Sequence, residues 1–210
     1  MKPVTIRWTA VALAAVVTAL AVLAFSPALK VPASKESGRN SGLYLTPDDF
    51  RHNKLSYAIA PSGGQTRIKI HDGLFGSTTV DLIYEGRKQV FSMDRVYGYR
   101  DAKGQDYRFF DRSAYCIADT GGFYLYTNAR LVQGEKIARP QTLYFFSVTP
   151  ATGIQPLTLA NLDKAFAGNT RFRYSVETLQ GQFGSDAALA AYDGVLNNYK
   201  IKFLYAQSLQ

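Results

Sequence analysis

Tyrosine and arginine crowd one short stretch of the chain, where Tyr97, Tyr99, Arg100, Tyr107 and Arg108 are followed closely by Phe109, Phe110 and Arg112. Aromatic faces stack on sugars and cations, and guanidinium forks take carboxylates and phosphates. The first five are therefore the candidate ligand-binding residues, for a sugar, an anionic polymer or a protein surface. The same residues also fit a plainer role: aromatic packing between neighbouring strands, with arginine stems laid over it and Asp101, Asp106 and Asp111 as charge partners. Along a strand, alternation puts Tyr97 and Tyr99 on one face and Arg100 on the other.

Signals for catalysis are sparse. There is no Gly-x-Ser-x-Gly elbow, Ser-x-x-Lys, His-Glu-x-x-His, phosphate-binding glycine loop, dinucleotide glycine fingerprint or EF-hand loop, so no catalytic residue, cofactor or metal site is nominated by motif. His52 and His71 are the only histidines, and a zinc site would need carboxylates for its other ligands. His71 and Asp72 are neighbours, but adjacent strand residues point to opposite faces unless the strand ends there. Cys116 is the only cysteine, which excludes an intrachain disulfide; between Tyr115 and Ile117 it reads as a small buried strand residue. Asp48 and Asp49 follow Thr46-Pro47 and read as helix-start carboxylates. A hydrolytic site without a familiar motif would have to draw on Asp72, Asp81, Asp94 or Asp106.

The elements that must position these groups begin with short strands. Over residues 80–126, β-branched and aromatic runs alternate with the turn signals Glu85-Gly86, Asp101-Ala102-Lys103-Gly104 and Asp119-Thr120-Gly121-Gly122, which predicts an antiparallel meander. Residues 55–60 and 66–71 flank Pro61-Ser62-Gly63-Gly64 and read as a first hairpin, with Arg67, Lys69 and His71 outward and Ile68 and Ile70 inward. Residues 127–141 read as a polar connection, and residues 142–148 as a strand covered on both faces. Pro150, Gly153 and Pro156 then end the β region.

After that the period changes. Leu159, Leu162 and Phe166 behind a Thr158 cap predict one helix. Phe172, Val176 and Leu179 before Gly181 fit a second, although Phe172, Tyr174 and Val176 also alternate as a strand would. A third is predicted from Ser185-Asp186 through Leu189, Tyr192 and Leu196. Residues 199–205 fit helix or strand, with helix preferred. The fold class is thus α+β: an antiparallel β-meander, as an open sheet or a small barrel-like one, followed by a C-terminal cluster of short helices. The β part spans 43–156, and the helical part, 157–210, packs on the sheet within the same domain.

Hydrophobic residues make up 47% of the chain and charged residues 19%, a globular balance. The net charge of +8 comes from scattered lysines and arginines, which form no nucleic-acid-binding arm. Residues 8–29 carry no charge and stand behind Lys2 and Arg7, the pattern of a signal peptide over residues 1–28. Cleavage after Ala28 or Ala33 and retention as an N-terminal membrane anchor are the two outcomes left open. Residues 29–42 are small and polar and read as a flexible linker.

Val96-Tyr97-Gly98-Tyr99-Arg100-Asp101, then Gly104-Gln105-Asp106-Tyr107-Arg108-Phe109-Phe110 and Phe123-Tyr124-Leu125-Tyr126, resemble exported proteins of unknown function from Bacteroidetes-type bacteria. The resemblance extends over most of the domain, to Tyr192-Asp193 and Tyr199-Lys200. It implies an envelope location and brings no activity with it. The expected function is a non-enzymatic exported envelope protein, periplasmic or at the cell surface, with a binding or structural role. The alternatives are an envelope hydrolase with a carboxylate site and a membrane-anchored assembly component. Expected partners are an envelope protein or polysaccharide, with the membrane touched only through residues 8–29.

Overall fold

The computed structural model describes residues 40–60, 67–72, 78–132 and 139–210. The signal or anchor segment, most of the linker and the turns at 61–64 and 73–76 lie outside the described residues. The fold is α+β, built on an open antiparallel sheet. Its strands are β1 (Ser41–Tyr44), β2 (Tyr57–Ile59), β6 (Gly98–Arg100), β7 (Asp106–Phe110), β8 (Ser113–Asp119), β9 (Tyr124–Val132), β10 (Arg139–Ser147) and β11 (Gln155–Pro156). Their order is β11-β10-β9-β8-β7-β6-β1-β2, so the meander from β6 to β11 is continuous and the β1–β2 hairpin is added at its β6 edge. A separate sheet holds β3 (Arg67–Asp72), β4 (Thr78–Tyr84) and β5 (Arg87–Ser92).

Register fixes two faces of the large sheet. Tyr57, Leu43, Tyr99, Tyr107, Cys116, Thr127 and Tyr144 stand opposite one another in one row from β2 to β10, so they share the front face. The back face carries Tyr44, Arg100, Arg108, Tyr115, Ile117, Tyr126 and Phe145 by the same registers. The front is covered at one end by the three-stranded sheet, where Val80, Leu82, Met93 and Val96 pack with Leu43, Ile59 and Phe109. The other end is covered by helices, where Phe123, Leu125 and Phe146 meet Leu157, Leu162, Phe166, Phe172, Val176, Leu189 and Ile201. Phe123 is fully buried, and the rings of Phe146, Phe166, Phe172 and Tyr205 surround it at 5.4–6.2 Å. Each such ring pair contributes about 0.5–1.5 kcal/mol beyond its buried area.

The helices start and stop where their caps direct. In α1 (Pro47–Arg51), Thr46 and Asp49 form a reciprocal capping box. Asn161 N–H donates to the Thr158 hydroxyl at the start of α2 (Leu159–Ala165). In α3 (Thr170–Phe183), Asn169 accepts from the Phe172 N–H at 3.0 Å, and Gly184 closes the helix at φ 69°. The helical alternative for this segment is therefore the one adopted, and α4 (Lys200–Ser208) settles the tail the same way. Among the described residues no helix is long and apolar enough to cross a membrane.

Several sequence expectations need correction. Strands β2 and β3 do not pair: β2 lies against β1, and β3 pairs with β4 in the other sheet. The expected turn at 61–64 lies outside the described residues, and β1 was hidden in the polar end of the linker. Its Gly42 lies so close to β2 that an added Cβ would sit 2.2 Å from the Tyr57 carbonyl oxygen. The meander of the large sheet starts at β6, and the strand at 80–84 belongs to the small sheet. Residues 127–141 are no loop throughout: β9 runs to Val132 and β10 starts at Arg139, pairing over Tyr124–Val132. The predicted third helix is a 3-10 turn, Asp186–Ala190, followed by the hairpin β12 (Tyr192–Asp193) and β13 (Asn198–Tyr199). Asp193 accepts from the N–H groups of Val195 and Leu196, which turns the chain and leaves Val195 and Leu196 exposed.

Candidate functional site

The five sequence candidates divide between the two faces. Tyr99 and Tyr107 stack on the front, ring centroids 4.6 Å apart, with Phe109 next to Tyr99. Burial pushes the Tyr107 phenol up to about 12. Tyr97 lies on the back, 5.4 Å from Phe50 and with the Arg108 guanidinium 5.3 Å from its ring centre. Alternation fails here because the chain slips by one residue at Gly98. Val96 joins the front cluster, Tyr97 the back one and Tyr99 the front again. Only glycine fits at the slip, since a Cβ there would stand 2.0 Å from the Tyr107 carbonyl oxygen.

Arg100 on β6 and Arg108 on the neighbouring β7 differ in role, though both are more than nine-tenths buried. Arg100 is held by a carboxylate and an amide. Its Nε and Nη2 take the two Asp106 oxygens at 2.8 Å each, Nη2 also donates to Asn53 at 2.7 Å, and the Tyr44 hydroxyl donates to Asp106. Burial alone would lower the Arg100 pKa, but the hydrogen bonds and charge of Asp106 outweigh it and leave the value raised. Arg100 and Tyr99 also border a small hollow of about 300 Å³ beside β3.

Arg108 has no such counter-ion: among the described residues no carboxylate lies within ion-pair distance. Its Nη1 donates to the hydroxyls of Tyr126 and Ser147, and its Nη2 to the Thr152 carbonyl at 2.8 Å. A guanidinium has five N–H donors. Nε is left without a partner. The rings of Tyr97, Phe110 and Tyr126 surround the charge at 5.3–5.9 Å. Burial raises the Tyr97 phenol pKa, and its hydroxyl lies beside Tyr126 without a hydrogen bond of ordinary length.

Arg108 and Tyr97 line a cleft of about 680 Å³ at the turn end of β7. Its apolar wall is Leu45, Met93, Val96, Phe109 and Phe110. Its charged rim comes from the 3-10 turn Met93–Arg95 and from the two residues joining β7 to β8: Asp94, Arg95, Asp111 and Arg112. Both joining residues are left-handed, Asp111 at φ 45° and Arg112 at φ 58°. Three guanidiniums face two carboxylates across this lining. Asp94 is already engaged by the Ser92 hydroxyl, which lowers its pKa. The arrangement can hold an acidic group against a desolvated cation, with apolar surface for the ligand's body.

The remaining candidate groups do not meet there. Asp81 on the small sheet pairs with Lys88 at 2.8 Å and His71 at 3.2 Å, both exposed, and the Lys88 hydrogen bond lowers its pKa. His71 thus turns to Asp81 across the strands. Asp106 is held by Arg100 on the back face, so Asp81, Asp94 and Asp106 occupy separate places; nothing is described of the Asp72 side chain. Cys116 is half-buried in the front row rather than fully enclosed, and burial raises its thiol pKa. Among the described residues no group of three His, Cys, Asp or Glu side chains could hold a metal ion.

Comparison with protein families, curated proteins and solved structures finds no match. The sequence reading named Tyr97 and Arg108 as ligand-binding candidates and Asp94 only as a possible hydrolytic carboxylate, and it passed over Arg95. Asp94 and Arg95 belong to a turn between a polar strand and Val96, where no pattern distinguishes a rim from an ordinary loop. The readable signal was at Asp111-Arg112, two polar residues between β-rich runs where Asp-Gly is the usual hairpin pair.

Proposed function

We propose that this chain is a non-enzymatic exported protein of the cell envelope that binds a small organic acid in the cleft around Arg108. The observation that carries this reading is the Arg108 guanidinium, 5% exposed, aromatic on three sides and without a counter-ion among the described residues. A desolvated cation of this kind is costly until an anion completes it, so a carboxylate gains most in the cleft that Arg108 lines. The envelope location rests on the uncharged residues 8–29 behind Lys2 and Arg7, and on the resemblance to exported proteins.

Calorimetric titration with acetate, succinate and citrate tests the site. At least one of these binds the parent chain, and Arg108→Met weakens it by about 100-fold, the loss of a charge-assisted contact to a desolvated cation. The same variant keeps its stability within about 1 kcal/mol, because removing an uncompensated buried charge offsets the hydrogen bonds lost to Ser147, Tyr126 and Thr152. Equal affinity in Arg108→Met, or no binding of any acid by the parent, would overturn the reading.

A further inference from the structure

Two-residue hairpin turns with both residues at positive φ favour glycine in the second place, where a Cβ crowds the following carbonyl. The β4–β5 turn obeys this: Glu85 at φ 50° is followed by Gly86 at φ 75°. The β7–β8 turn does not, for Arg112 takes the glycine's place at φ 58°. Arginine gains nothing from that conformation locally. Its side chain is exposed, and among the described residues no carboxylate lies within ion-pair distance of it. It does, however, line the same cleft as Arg108. Backbone conformations of this kind persist where a site needs the side chain they present.

We propose that the Asp111–Arg112 turn is a specificity element: it sets the Arg112 guanidinium over the cleft so that a ligand with two acidic groups seats one on Arg108 and the other on Arg112. The proposal rests on the reading of the Arg108 cleft as an organic-acid site and adds the class of acid. A cleft of about 680 Å³ is far larger than a lone oxyanion needs and leaves room for a carbon chain between the two charges. The apolar wall of Met93, Val96 and Phe109 suits the methylenes of that chain, and Arg95 and Arg112 balance Asp94 and Asp111 at the rim, so that with Arg108 the lining as a whole carries one net positive charge. Arg108, more than nine-tenths buried, supplies depth; Arg112, exposed, supplies discrimination between one acid group and two.

Succinate and butyrate have the same chain length and differ by one carboxylate, which makes them the probes. The parent chain binds succinate about tenfold or more tightly than butyrate, one charge-assisted contact's worth. Arg112→Gly binds succinate no better than butyrate and melts about 2–4 °C higher, because glycine relieves the left-handed strain. Retention of the succinate preference by Arg112→Gly, while Arg108→Met loses both acids, overturns the role of the turn and leaves the Arg108 site standing. A melting temperature that does not rise removes the strain on which the proposal is argued. Binding of neither probe by the parent, or equal binding by Arg108→Met, overturns the site itself.

Discussion

Asp106→Ala is expected to lower the free energy of unfolding by about 3–5 kcal/mol, the cost of leaving a buried cation without its partner. Arg100 is 7% exposed and spends Nε and Nη2 on both Asp106 oxygens. The fully buried Tyr44 gives its hydroxyl to the same carboxylate at 3.1 Å, so removing Asp106 also costs that hydrogen bond and leaves the hydroxyl the longer contact to Asn53 at 3.5 Å. Urea unfolding measures the loss as a lower midpoint at unchanged slope. The double variant Arg100→Met with Asp106→Leu is expected to regain most of it, since both charges then leave together. A single variant within about 1 kcal/mol of the parent would mean that the pair does not hold β6 to β7. The opposite expectation for Arg108→Met is the useful contrast. Both arginines are buried on the same face, yet Arg100 is paired with a carboxylate and Arg108, among the described residues, is not.

That difference was not legible in the sequence. Arg100 and Arg108 are alike in neighbours, each beside an aromatic and within reach of aspartates, and the plainer expectation of aspartate partners holds for Arg100 alone. Register decides: Arg100 faces Asp106 directly across β6 and β7, whereas Arg108 faces Gly98, which has no side chain to offer. The separation of Tyr97 from Tyr99 was hidden for a related reason. Alternation is a property of an unbroken ladder, and the slip at Gly98 depends on how near β7 approaches, a tertiary fact.

The fold was more readable where one physical signal dominated. Helix caps at Thr46 and Thr158 act within four residues, so α1 and α2 could be placed from the sequence, whereas α3 stayed open between helix and strand because Phe172, Tyr174 and Val176 also alternate. The strand at Thr142–Ser147 was plain because Phe145 and Phe146 are buried on opposite faces. Partnership between strands was not. The sequence order β2, β3 suggests a hairpin, and only the choice of β1 as the partner of both β2 and β6 sends β3 into a second sheet. Likewise β5, with Arg87, Lys88 and Gln89 at its start, lacks an apolar face strong enough to announce itself.

Stability is expected to rise with pH above about 8 in the parent chain and not in Lys202→Met. Lys202 at the start of α4 is 4% exposed, donates to the carbonyls of Gly121 and Phe123, and stands 3.0 Å from Asp119. Its ammonium also lies 3.9 Å from the centre of the Phe123 ring. Burial brings its pKa down from 10.5 to about 8, against the opposing charge and hydrogen bond of Asp119. A folded-state value below the unfolded one means that between those limits the unfolded chain binds more protons, so the fold gains as pH climbs. Below about 8 both states are protonated and the cost of the buried ammonium is constant. At one pKa unit per 1.36 kcal/mol, the parent gains about 2 kcal/mol over Lys202→Met between pH 7 and 9.5. Contributions from groups common to both proteins cancel in the difference. Urea unfolding of the two at pH 7, 8, 9 and 9.5 reads it directly. A flat difference would show that the ammonium is as well solvated by Asp119 and the two carbonyls as it is in water; a falling one would show that the ion pair fastens α4 to the sheet more strongly than burial opposes it.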